Sequence, residues 1–225
     1  MRVSMIFDLF LLAVLLLSAF YYSRKGFVAG IVHFVGSLVS LVGAWIASSK
    51  ISPAVFENFF KTGLVNKTRE LLESQSDINL EMLVERFAGF LPESIKNNIL
   101  QSVSGMLDTT TPDAALTIVE KVVAPLLVPI ISVVVFFVTF ALCRLVVSLL
   151  TAMLTNLNRV PLLGGVNRLL GFIAGLGAGG INVILLLCAV WAVGIILGQQ
   201  SPFISEELLG NSLFYKLLAP YNPFL

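Results

Sequence analysis

In an apolar chain, the few polar residues set inside long hydrophobic stretches are where chemistry is to be sought. His33 is the only histidine, and it lies in an uncharged stretch from Gly26 to Ser49. An ionisable group inside such a stretch is a functional candidate, because burying it in lipid is costly. Its simplest state is a neutral imidazole bonded to a hydroxyl or carbonyl; a proton relay or pH sensor is the sharper alternative. As the sole histidine it builds no imidazole cluster. Asn182 is a second intramembrane polar residue, placed to bond across to another helix. Cys143 and Cys188 sit in apolar runs without a C-x-x-C pattern, and read as small buried residues. There is no H-E-x-x-H, no G-x-S-x-G, no P-loop and no pair of acids inside any apolar stretch. No catalytic residue, cofactor or metal ligand is therefore assigned, and enzyme chemistry is not expected.

A second pattern concerns packing. The segment Arg168–Gly180 carries Gly171, Gly175, Gly179 and Gly180. The first three repeat at four-residue spacing, so each lies about one helical turn beyond the last. A flat groove of this kind lets a neighbouring backbone approach closely. Packing within one chain, packing between subunits and lining of a pore all use it, and spacing alone does not separate them. A weaker small-residue face runs from Gly26 through Gly30, Gly36, Ser40, Gly43 and Ala47.

These residues need membrane helices to position them. Of 225 residues, 57% are hydrophobic and 12% charged, against about 25% charged in an ordinary soluble domain. The mean hydropathy is +0.96. A net charge of +1 leaves no basic footprint for nucleic acid. A bilayer core takes about 20 apolar residues as helix. Stretches free of Asp, Glu, Lys and Arg predict four transmembrane helices, about 6–22, 27–49, 122–143 and 169–198. The first is read as an uncleaved helix, since Asp8 interrupts the leading segment and Tyr21-Tyr22 stands where cleavage would be wanted. Pro125 and Pro129 predict a kinked or interfacial start to the third. Asn156–Gly165 reads as a loop, with Pro161 and Gly164-Gly165 as breakers. The fold class is all-α: a polytopic membrane protein with a small helical insertion at 50–121 and a tail at 201–225.

Charge sets the expected orientation. Arg24 and Lys25 occupy the first connection, and Arg144, Arg159 and Arg168 the third, with no acid in either. The 50–121 segment has seven basic and ten acidic residues. The positive-inside rule then puts 23–26 and 144–168 in the cytoplasm and 50–121 outside. The three arginines read most simply as anchors at lipid phosphates. Asp8 reads as a cap at the outer interface. Within 50–121, Leu80, Leu83, Val84 and Phe87 form one helical stripe and Ile95, Ile99, Val103 and Met106 another. Thr111-Pro112 reads as the start of a helix that runs into the third span.

The ends of the chain resemble a known family. Asp8 opens an apolar helix that closes on Arg24-Lys25-Gly26-Phe27, and Gly36 and Ala44 follow in a small-residue helix. Asn167-Arg168-Leu169-Leu170-Gly171 with Gly175 then enters the last span. This order resembles the CvpA (colicin V production protein) family of bacterial inner-membrane proteins, over about 1–50 and 120–200. Asn167 stands where the family more often has Asp, and Tyr21-Tyr22 where a glycine is common. The resemblance implies a multi-pass protein of the bacterial cytoplasmic membrane, tied to toxin production and envelope tolerance. It implies the bilayer as partner, with a homo-oligomer and an envelope or export partner as further expectations, and no nucleic acid. Two functional readings follow. One is a non-enzymatic protein supporting export or envelope homeostasis. The alternative is an oligomeric solute transporter or channel, with the glycine-rich fourth helix packing at or lining the pathway.

Overall fold

A computed structural model of the chain describes residues 2–74, 82, 85, 96, 97, 100, 101, 114–157, 164–197 and 210–221. Every described element is helical and none is a strand. Four helices are long and apolar enough to cross a membrane: Ser4–Lys25, Phe27–Glu73, Ala114–Met153 and Gly164–Val193. The protein is thus a polytopic helical membrane protein. The exposed faces of these helices carry Leu9, Leu17, Val39, Leu142 and Leu169, as lipid-facing surfaces must.

Helix α1 (Arg2–Lys25) ends at Gly26, the one described residue with positive φ, +90°. The Gly26 amide donates to Tyr22 O at 2.9 Å, closing the last turn. Glycine suits this left-handed position because it has no Cβ to clash. Helix α2 (Phe27–Val55) starts at once, and Gly30 N–H donates to Gly26 O at 3.1 Å. Helicity does not stop at Lys50. It passes through a π-helical segment, Phe56–Lys61, into α3 (Thr62–Ser74). The single charge at Lys50 ends the apolar window but breaks no backbone bond. In the π segment the Asn58 side-chain amide takes Ala54 O at 2.8 Å, satisfying a carbonyl at the wider turn.

Helix α4 (Ala114–Ile118) leads through a second π-helical segment, Val119–Val123, into α5 (Ala124–Leu157). Ala124 N–H reaches back to Val119 O, one residue further than in an α-helix. Pro125, next in line, has no N–H to give, so the wider turn falls where the regular ladder is already interrupted. Helix α6 (Gly164–Leu197) begins at the glycine pair that spacing had marked as a breaker. Glycine there lies in the first turn, where the first amides have no intrahelical acceptor anyway. Helix α7 (Leu213–Leu218) and a short 3₁₀ turn, Ala219–Tyr221, form the described tail. The stripe residues at 80, 83, 84, 87, 95, 99, 103 and 106, and Thr111-Pro112, lie outside the described residues.

The chain divides into two compact units. One comprises 1–47, 136–191 and 203–225. Its core holds Ala44, Phe136, Phe140, Ile181 and Leu185, with Phe136 fully enclosed. Phe136 stacks on Phe140 at 6.4 Å. A second cluster joins Leu11, Val183 and Leu187 to Phe214, Tyr215 and Leu218 of the tail helix. Hydroxyls inside the helices bond their own backbones: Ser18 to Val14 O at 2.9 Å, Ser40 to Gly36 O at 2.7 Å and Thr151 to Val147 O at 2.7 Å. Polar groups in lipid need such partners.

The other unit comprises 48–135 and 192–202. Phe56 packs with Ile118, Val119, Val122, Val123 and Leu126, and Leu64, Val65, Leu72 and Leu100 lie against this core. The Lys61 ammonium meets Glu120 at 2.7 Å on its surface. Lys96, largely buried, pairs with Glu85 at 2.8 Å. The acidic residues of this segment are thus partly matched by its own lysines.

Candidate functional site: a glycine seam and an arginine inside the bundle

The spacing of Gly171, Gly175 and Gly179 sets one face of α6 against the backbone of α1. A Cβ on Gly171 would stand 2.6 Å from Tyr22 O and 3.1 Å from Gly26 C. On Gly175 it would stand 2.7 Å from Ala19 Cα, and on Gly179 3.0 Å from Leu15 O. All are backbone atoms, which cannot rotate aside. The seam therefore has a fixed partner within the chain. Gly180 is different, since a Cβ there meets nothing within 4 Å. Its grouping with the other three is corrected: a helix turns about 100° per residue, which carries Gly180 off the Gly179 face. On α2, Gly30 opposes Ala174 of α6, and a Cβ on Gly36 would overlap the Val147 side chain of α5.

The sequence elements from the two ends of the chain meet at the α1–α2 turn. The Phe27 amide donates to Asn167 Oδ1 at 2.7 Å. A Cβ on Gly26 would lie 2.7 Å from Asn167 Nδ2. Asn167 from α6 thus caps the first turn of α2, whose leading amides have no intrahelical acceptor. Phe27 contributes its backbone to this junction. Arg24 and Arg168 are exposed and flank it without a described side-chain partner. Arg24 lies in the last turn of α1, where a cation complements the helix dipole.

Deeper in the bundle is a polar cluster. Arg144 Nη1 donates to Asn182 Oδ1 at 2.8 Å. Asn182 Nδ2 donates to Ser18 Oγ at 3.4 Å, a longer contact. The Arg144 guanidinium also lies 5.9 Å from the centre of the Phe140 ring. Asn182 is 15 residues beyond Asn167 on the same helix, about 22 Å by rise per residue. Arg144 is 13 residues before the end of α5, about 20 Å. Apolar residues at Leu145, Val146, Leu149, Leu150, Met153 and Leu154 predict a helix continuing past Arg144 to about Thr155, and the helix does run on to Leu157. The Arg144 side chain leans toward the N-terminus of α5, as helical side chains do, and so away from the Leu157 end. Arg159 lies outside the described residues.

His33 of α2 packs its ring against Tyr22, with centres 5.3 Å apart. Its Nδ1 is buried and has no hydrogen-bond partner among the described residues. Among the described residues Nδ1 does not make the expected bond to a hydroxyl or carbonyl, and the ring lies tilted at 45° to that of Tyr22. Arg144 and Lys25 are both close enough to act on it electrostatically.

Asp8 does cap a helix, but the helix is the tail. Ser212 Oγ donates to Asp8 Oδ1 at 2.5 Å, Leu213 N to Oδ2 at 3.0 Å and Phe214 N to Oδ1 at 3.4 Å. Ser212 Oγ in turn accepts from Tyr215 N at 3.1 Å. The first amides of α7 are thus shared between a serine on their own segment and a carboxylate 204 positions earlier. Ser212, Ser18 and the partnership of Arg144 with Asn182 were not read from sequence. The one available signal was an arginine with helical apolar residues on both sides. Among the described residues no group of three His, Cys, Asp or Glu side chains converges to hold a metal.

Residues 114–223 match the family model described as Colicin V production protein. Over this stretch the chain is similar to the colicin V production protein family, the family its motifs resemble. No curated protein and no solved structure matches it. The matched stretch holds α5, α6 and the tail, and with them Asn167, the glycine seam, Arg144 and Asp8's partners. Asp8, Arg24, Gly26 and Phe27 precede it, yet Gly26 and Phe27 touch Asn167 and Asp8 touches Ser212. The N-terminal residues are therefore packed onto the matched stretch.

Proposed function

We propose that the chain is a CvpA-like protein of a bacterial cytoplasmic membrane that supports production or export of a colicin V type toxin and envelope homeostasis, without catalysing a reaction itself. The family match over the last two membrane helices carries this reading. Residues 23–26 and the α5–α6 connection face the cytoplasm, and 50–121 faces outward. The basic residues supporting this orientation are Arg24, Lys25, Arg144, Arg159 and Arg168. The acidic outer segment is the docking surface for an envelope or export partner, and the protein self-associates in the membrane. The test is photo-crosslinking from positions 70–110 in cells, together with secreted toxin activity in a deletion strain. A specific crosslinked envelope protein and a complementable loss of toxin support the reading; toxin output unchanged by deletion overturns the export role.

A solute pathway is the second reading, favoured by the Arg144–Asn182–Ser18 cluster, since polar groups inside a bundle mark solute and ion routes. The glycine face of α6 serves it only indirectly, being filled by α1. Purified protein in liposomes would pass ions or solute, and Gly175→Leu would abolish the flux. Absence of flux under any gradient returns the balance to the first reading.

A further inference from the structure

Among the described residues, no carboxylate is bonded to Arg144. A guanidinium stays protonated in any protein environment and carries five N–H donors. One donor is bonded to the Asn182 oxygen. That oxygen is neutral, so it satisfies a donor and leaves the charge unmatched. Within the compact unit that holds Arg144, Asp8 is the only described carboxylate. Asp8 is engaged with Ser212 and the amides of Leu213 and Phe214. Lys25, the other charge that acts with Arg144 on His33, is also positive.

The cluster lies among the helices, with Ser18 about 12 Å along α1 from the Gly26 turn. A cation held inside a membrane bundle without a counter-charge is expensive, and such residues pair or line a cavity that admits an anion. Guanidinium forks match carboxylate and phosphate oxygens in a two-bond geometry. Four N–H donors of Arg144 have no partner among the described residues and fit that chemistry.

We propose that Arg144, held by Asn182 and flanked by Ser18, is a binding site for an oxyanionic group, the carboxylate or phosphate of a solute or of a lipid. Arg144 supplies charge and paired donors. Asn182 positions the guanidinium, and Ser18 holds Asn182. The site goes beyond the family role proposed above, and its test reads binding directly, so its failure leaves the toxin and envelope reading untouched.

The experiment uses the full chain with ¹⁵N-labelled arginine in phosphatidylcholine nanodiscs. The Arg144 Nε–Hε resonance is assigned by comparison with Arg144→Lys. Sodium phosphate and sodium acetate are titrated against sodium chloride at matched ionic strength, and a second series replaces part of the lipid with phosphatidylglycerol. A saturable shift of Arg144 with phosphate or acetate supports the site with a free oxyanion as ligand. A shift only with phosphatidylglycerol supports it with a lipid headgroup as ligand. Arg144→Lys keeps the charge and loses the fork, and is expected to weaken binding several-fold. Arg144→Gln is expected to weaken it about tenfold or more. No saturable shift in either series overturns the proposal. So does a shift no larger than that of exposed Arg24 and Arg168, or unchanged affinity in Arg144→Gln. If Arg144→Gln does not fold, the wild-type titrations and Arg144→Lys still decide.

Discussion

Gly175→Ala and Gly180→Ala place the same methyl group on the same helix, five residues apart, and are expected to act in opposite directions. At Gly175 the new Cβ would stand 2.7 Å from Ala19 Cα and 3.0 Å from both Ala19 O and Ser18 O. Ordinary contact needs about 0.7 Å more, and the opposing atoms are backbone, so α1 and α6 must separate. Overpacking of this kind costs about 1–3 kcal/mol. Alanine returns about 1 kcal/mol through helix propensity. The rigid contact favours the upper part of the range, so Gly175→Ala is expected to destabilise by about 1–2 kcal/mol. At Gly180 nothing lies within 4 Å. Only the propensity gain remains, and Gly180→Ala is expected to be neutral or stabilising by up to about 1 kcal/mol. Reversible unfolding in mixed dodecyl maltoside and dodecyl sulfate micelles, followed by circular dichroism, measures both. Gly175→Ala as stable as wild type, or Gly180→Ala the more damaging of the two, would refute the assignment of the seam.

Two further outcomes are expected. Asn167→Ala removes the acceptor for Phe27 N–H and should cost about 1 kcal/mol in the same unfolding assay; Asn167→Asp keeps an acceptor at a helix N-terminus and should retain wild-type stability, whereas Gly26→Ala, strained at φ +90° and crowded by Asn167, should lose more than Asn167→Ala. Asp8→Ala removes the carboxylate from Ser212, Leu213 and Phe214, so limited proteolysis should cleave 210–221 several times faster, with Asp8→Asn between the two; equal cleavage rates would mean that the apolar contacts of Phe214 and Tyr215 alone hold the tail.

The membrane helices were legible because hydropathy is a sum over many residues. The end of α2 was not, because a single charge stops a count without stopping a helix, as Lys50 shows. The glycine seam was legible as spacing, since four-residue repeats place Gly171, Gly175 and Gly179 on one line. Its partner was not, because nothing in the glycines names the backbone of Leu15, Ala19 and Tyr22. Asn182 was marked as polar in a span, while its bond to Arg144 depends on the relative register of two helices. Asp8 was read as a cap at the outer interface. It took the folded chain to bring Ser212, 204 positions away, into its reach.

The clasp between Asp8 and the Ser212 turn joins residues made 204 positions apart by the ribosome. It must wait for the tail, as must the packing of Phe214, Tyr215 and Leu218 on Leu11, Val183 and Leu187. A product stalled upstream of Ser212 would carry an uncapped carboxylate and a bare patch at Leu11, Val183 and Leu187, features by which proteolytic surveillance in the membrane could tell an unfinished molecule from a finished one.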